Sequence, residues 1–93
     1  MNKNKVTVRI AGKEFVITST DSSEYTRRVC TWVDTRMREL STVSKLPASQ
    51  LAVLTAVNAA DDMMKSRDEI LRLRKALEET RAELERLKNH ENT

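Results

Sequence analysis

Few side chains in this sequence have types and spacing that could do chemistry. There is one histidine, His90, and one cysteine, Cys30. A metal site needs clustered Cys, His or carboxylate ligands, and these two stand far apart in the chain. Asp61 and Asp62 form a carboxylate pair, but adjacent residues on a helix point in different directions. They read as the solvated edge of a helix. Ser22, Ser23 and Ser49 have no base near them and suit helix starts. A single glycine, Gly12, excludes a glycine-rich phosphate loop. No constellation meets the geometric requirements of an active site. The expectation is a chain that is not an enzyme and uses no cofactor or metal. Cys30 cannot form an intrachain disulfide; it fits a reducing compartment and reads as a small core residue.

The charges are the next candidates. The net charge is +3, and it is uneven: residues 1–45 carry 9 Lys/Arg against 5 Asp/Glu, and residues 46–93 carry 8 against 9. The surplus includes Lys13, Arg27, Arg28, Arg36, Arg38 and Lys45. Nucleic-acid binders usually show a more basic domain with aromatics among the charges. Here Tyr25 and Trp32 are expected on an inward stripe. The surplus therefore reads either as a solvated face or as a docking surface for an acidic protein partner, where charge steers encounter. A small basic coiled-coil nucleic-acid binder and a generic oligomerisation module are the alternative readings. No stretch reaches the ~18 apolar residues of a membrane span, and MNKNKVTVRI has no apolar run behind it for a signal peptide. A soluble cytoplasmic chain without membrane contact is expected.

These residues need elements to position them. Val6, Val8 and Ile10 alternate with Lys5, Thr7 and Arg9, then EFVITS follows after Gly12. Period-two alternation around a glycine predicts a hairpin over 5–19. With Gly12 and Lys13 as the central turn residues, Ile10 would face Phe15 and Val8 would face Ile17. Asp21, with Glu24 three residues on, suits a helix start. The spacing predicts a helix over 22–43 whose stripe of Tyr25, Val29, Trp32, Val33, Met37 and Leu40 covers the hairpin. Pro47 suits the first turn of a second helix, and no breaker follows until about His90. That helix would be about 65 Å long at 1.5 Å per residue, too long for so small a domain, so its end must project.

The second helix poses a burial problem. QLAVLTAVNAADDMM, residues 50–64, is apolar nearly all round, and such a helix has to be covered. Further on, Met63, Ile70, Leu77 and Leu84 fall at heptad position a, with Leu73, Thr80 and Leu87 at d. Ser66 at d leaves the seam imperfect. About three heptads of this pattern predict a coiled coil. Positions g hold Glu69 and Glu83, and positions e hold Arg74, Arg81 and Lys88. A parallel pair sets Glu69 against Arg74 and Glu83 against Lys88, whereas an antiparallel pair sets like against like. A parallel dimer is expected. Asn58 stands in the apolar surround and is expected to bond a backbone group or its symmetry mate, fixing register. The fold class is α+β: a head over 1–60, comprising the hairpin, the first helix and the start of the long helix at 47–60, then a coiled-coil stalk over 61–93 with a frayed tail.

The order of the pieces resembles the ZapA family of bacterial cell-division proteins. The most specific pieces are IxGKE at the turn, EYxRRVxxxVDxRMREL on the first helix and LAVLxAxNxADxM on the second. The resemblance implies a dimer through head and stalk, and an antiparallel pair of dimers that bridges and bundles FtsZ filaments at the mid-cell division ring. It implies a role in FtsZ contact for Lys13, with weaker transfers to Arg28, Arg36, Arg38 and Lys45. Some relatives carry an acidic residue where this chain has Ser49. Leu54 matches an apolar position of the family's subunit interfaces, with Leu51 and Val57 beside it. The self-association set is then Leu51, Leu54, Val57, Asn58, Met63, Ile70, Leu73, Leu77, Leu84 and Leu87. Leu71, Met64 and Ala82 are candidates for the second stalk surface that pairing of dimers requires.

Overall fold

The computed structural model describes residues 3–91; the ends of the expected head and of the frayed tail lie outside them. The element order is β1 (Asn4–Ile10), β2 (Lys13–Ser19), α1 (Ser23–Val43) and α2 (Ala48–Glu91). This is the expected α+β class. The strands form a two-stranded antiparallel sheet.

The hairpin register differs from the expected one. Ile10 pairs with Lys13, Val8 with Phe15 and Val6 with Ile17. The turn residues are therefore Ala11 and Gly12, with φ of 53° and 78°. Positive φ at both central positions is the type I′ arrangement, whose twist matches that of the flanking strands. A shift of two residues leaves every side chain on its original face, so the apolar residues still share one side. Ala11 occupies a left-handed conformation that costs a β-carbon-bearing residue about 1–2 kcal/mol. Its N–H donates to Asp34 Oδ1 at 2.9 Å, a bond that ties the turn to the first helix.

The start of α1 also moves by one residue. Ser22, rather than Asp21, is the N-cap, and its Oγ accepts from the Tyr25 N–H at 3.1 Å. Asp21 is engaged at the end of the hairpin instead. Its N–H donates to Ser19 Oγ at 3.0 Å, and its carbonyl accepts from Asn4 Nδ2 at 2.8 Å. At the other end, the Ser44 N–H returns to the Leu40 carbonyl.

The face that α1 buries matches the expected stripe in its C-terminal half, where Met37 is buried and Val33 and Leu40 are half-buried, and departs from it in the N-terminal half. Thr26, Cys30 and Met37 are buried, and Val33 is half-buried. Tyr25, Val29 and Trp32 stay 46%, 44% and 42% exposed. The two rows each step by four and three residues and lie one residue apart, about 100° around the helix. A two-stranded ribbon is narrow and covers one row only. The core is Val6, Val8 and Cys30, with Ile10 and Ile17 packed against it. Cys30 is a packing residue, as expected.

The carbonyl of Pro47 accepts from the N–H groups of Gln50 and Leu51, both at 3.0 Å. Pro47 thus stands immediately before α2 rather than inside its first turn. Of the 44 residues of α2, only Leu51 and Thr55 are buried. Thr55 satisfies its hydroxyl on the Leu51 carbonyl at 2.8 Å. The chain divides into a compact unit through Asn58 and a second unit from Ala59. The described residues of the second unit are helical and exposed throughout.

Candidate partner-binding surfaces

In the first unit, β2 starts at Lys13, which stands exposed directly after the turn. Arg28 lies with its guanidinium 5.3 Å from the centroid of the Tyr25 ring, a cation–π contact that rigidifies both side chains. Arg36 is turned toward α2: its Nε donates to Asn58 Oδ1 at 3.1 Å, and it also approaches Glu39 at 3.8 Å. Arg38 forms an ion pair with Asp34 one turn earlier and remains largely exposed. Lys45 is exposed in the segment between the helices. The five basic residues expected at a partner surface thus divide. Lys13, Arg38 and Lys45 reach solvent, Arg28 lies on an aromatic ring, and Arg36 joins α1 to α2.

Sequence reasoning puts Arg9 and Asp34 on polar faces and Met37 on the inward stripe, and it does not bring the three together. The structure brings them together with Arg38, Ala48 and Leu51 around a half-open groove of about 510 Å³. Met37, Ala48 and Leu51 supply apolar lining, while Arg9 and Arg38 bring cationic groups. No local signal predicts this, because the turn and Asp34 are 23 residues apart in the chain.

The residues expected at self-association surfaces also divide. Leu51 is inside the first unit, with 7% of its surface left. Asn58 bonds within the chain, its Nδ2 donating to the Leu54 carbonyl at 2.9 Å while Oδ1 accepts from Arg36. By contrast, Leu54, Val57, Met63, Ile70, Leu73, Leu77, Leu84 and Leu87 are all exposed, from 37% at Leu54 to 64% at Leu84. One chain cannot cover them. Glu69 and Glu83 pair within the helix with Arg72 and Arg86. These are exposed i,i+3 pairs of small worth that another partner can replace. Asp61 bonds Lys65 at 2.9 Å and so raises the lysine's pKa above its ordinary value.

Among the described residues, no group of three or more His, Cys, Asp or Glu side chains could hold a metal ion. Among them, too, no helix is long and apolar enough to cross a membrane.

The comparisons with known proteins agree with the order of these elements. The profile of the family described as "Cell division protein ZapA" matches residues 6–90. A "Cell division protein ZapA" of Geobacillus sp. (strain WCH70) is 42% identical over 82 residues, covering 87% of this chain and 94% of the relative. One from Bacillus licheniformis is 40% identical over 78 residues, covering 83% and 92%. Among solved structures, the "ZapA mutant dimer from Geobacillus stearothermophilus" is similar with a TM-score of 0.68 and 38% identity, covering 84% of this chain and 92% of the other. The likeness runs along most of the chain, and the chain belongs to the ZapA family of cell-division proteins.

Proposed function

We propose that this chain is a non-catalytic cross-linker of FtsZ filaments in the cytoplasm, acting at the division ring. It binds filaments through its basic first unit and joins them through self-association. The observation that carries the reading is the exposed row on α2, Met63 through Leu87. That row is apolar and heptad-spaced, and a parallel second copy covers it while setting Glu69 and Glu83 beside Arg74 and Lys88. The similarity to a ZapA dimer supports self-association. A pair of such dimers presents heads to more than one filament, and binding that is weak per head gains avidity from local concentration.

Two variants separate the halves of this reading. Leu54→Lys places a charge at the exposed apolar position that the resemblance assigns to a subunit interface. It is expected to reduce the larger oligomers in a light-scattering concentration series and to bundle FtsZ polymer poorly. Normal bundling at equal concentration would exclude multivalency. Lys13→Asp is expected to dimerise as the parent does but to co-sediment less with FtsZ polymer. Undiminished co-sedimentation would remove Lys13 from the contact.

A further inference from the structure

The groove at the hairpin turn has a chemistry that the exposed basic residues alone do not have. Its lining is apolar at Met37, Ala48 and Leu51, and Arg9 and Arg38 stand around it. One acidic side chain lines it, Asp34, and both of its oxygens are occupied: Oδ1 by the Ala11 N–H and Oδ2 by Arg38. Lys13 follows the turn directly, and the first turn of α2, which begins at Ala48, carries no acidic residue. Among the lining side chains, Arg9 and Arg38 outnumber Asp34, so the lining is positive by one charge around a floor that gains by excluding water, while outside it Glu14, opposite Arg9 on the hairpin, offsets Lys13.

We propose that this groove takes an acidic peptide segment anchored by one large apolar side chain. The carboxylates of the segment meet Arg9 and Arg38, and the anchor lies against Met37 and Leu51. This rests on the reading of the chain as a filament cross-linker, and it assigns the filament partner a recognition chemistry. A volume of about 510 Å³ falls within the range of pockets that seat a compact group (about 300–1,000 Å³). An apolar anchor in a pocket with charge complementarity around it is how a small interface concentrates its affinity. Nucleic acid fits less well, because the lining includes no aromatic side chain on which bases could stack.

Ala48→Trp and Ser41→Tyr each fill the groove without changing charge. The probe is a fluorescent peptide of Asp and Glu around one central Leu, titrated into the full-length chain. Matched peptides replace the Leu by Ser, or the acids by Lys. The Leu peptide is expected to bind best, to weaken with salt, and to lose about tenfold in affinity in either filled variant. FtsZ co-sedimentation should fall in parallel. Circular dichroism melts identify any variant that fails to fold, and the other variant then decides. Unchanged peptide binding in a folded filled variant overturns the groove. If folded filled variants still co-sediment while Lys13→Asp does not, the groove is wrong and the filament reading stands. If the parent chain binds the peptide but not FtsZ polymer, the groove stands and the filament reading falls.

Discussion

The residues through Asn58 and those from Ala59 onward face the same physical problem and meet it differently. Both carry apolar side chains at regular spacing. In the first unit, α1 buries one row, Thr26, Cys30 and Met37, and Cys30 packs in a core with Val6 and Val8. The neighbouring row, Tyr25, Val29 and Trp32, is left half exposed. In the second unit none of the described residues covers Met63, Ile70, Leu77 or Leu84. A small domain buries a small fraction of its surface, and a single helix buries almost none. The first unit is held by this chain's own contacts, whereas the described residues of the second stay exposed. The groove belongs to the first kind of surface, and the heptad seam to the second.

The comparison can be broken most severely at Val6, which is 1% exposed. Val6→Asp buries an unpaired carboxylate and is expected to cost about 4 kcal/mol or more. The first unit should lose its cooperative melt. A variant that melts like the parent would mean that the hairpin core does not hold this unit together. Next in size is the pair Ile70→Lys and Leu77→Lys. These charges should reduce the mass seen by light scattering at micromolar concentration while leaving the Trp32 fluorescence spectrum at low temperature close to the parent's. Retained mass would show that the seam is not the principal association surface.

A smaller effect tests the tie between turn and helix. Asp34→Ala removes the acceptor of the Ala11 N–H and is expected to cost about 1 kcal/mol, since the group is partly exposed. Denaturant titration at constant protein concentration would read it. No loss would mean that water replaces the carboxylate freely. Smallest is Ala11→Gly, which relieves a left-handed alanine but loosens the unfolded chain. A net gain of about 0.5 kcal/mol is expected in the same titration. A loss would show that the turn is held in another conformation in solution.

Much of the fold is legible in the residues alone. Alternation at Val6, Val8 and Ile10 marks a strand, and the absence of breakers after Pro47 marks the long helix. Where expectation and structure part, the cause is shared: a local signal has two solutions, and contacts from elsewhere choose between them. Gly12 suits either position of a two-residue turn. The structure puts it second, with Ala11 also in left-handed geometry, and so shifts the register by two. Asp21 and Ser22 compete as helix caps, and the contacts of Asp21 with Ser19 and Asn4 decide between them. On α1, Val33 and Met37 are covered as the stripe predicts, whereas in the N-terminal half Cys30 rather than Tyr25, Val29 or Trp32 enters the hairpin core. Among the site residues, Asn58 bonds the Leu54 backbone carbonyl as expected, but Arg36, expected at an outward partner surface, bonds Asn58 across two helices. Nothing in their sequence spacing announces that.

By itself the sequence determined the element types and the order in which they come, because propensity and periodicity are local properties. It also determined that the long helix carries more apolar surface than one chain can hide. Only the tertiary structure decided the register of the turn, which helical row faces the sheet, and the joining of Arg9, Asp34, Arg38 and Leu51 around one groove. Those outcomes depend on residues distant in the chain competing for the same space and the same hydrogen bonds, and such competition is settled only when the elements pack.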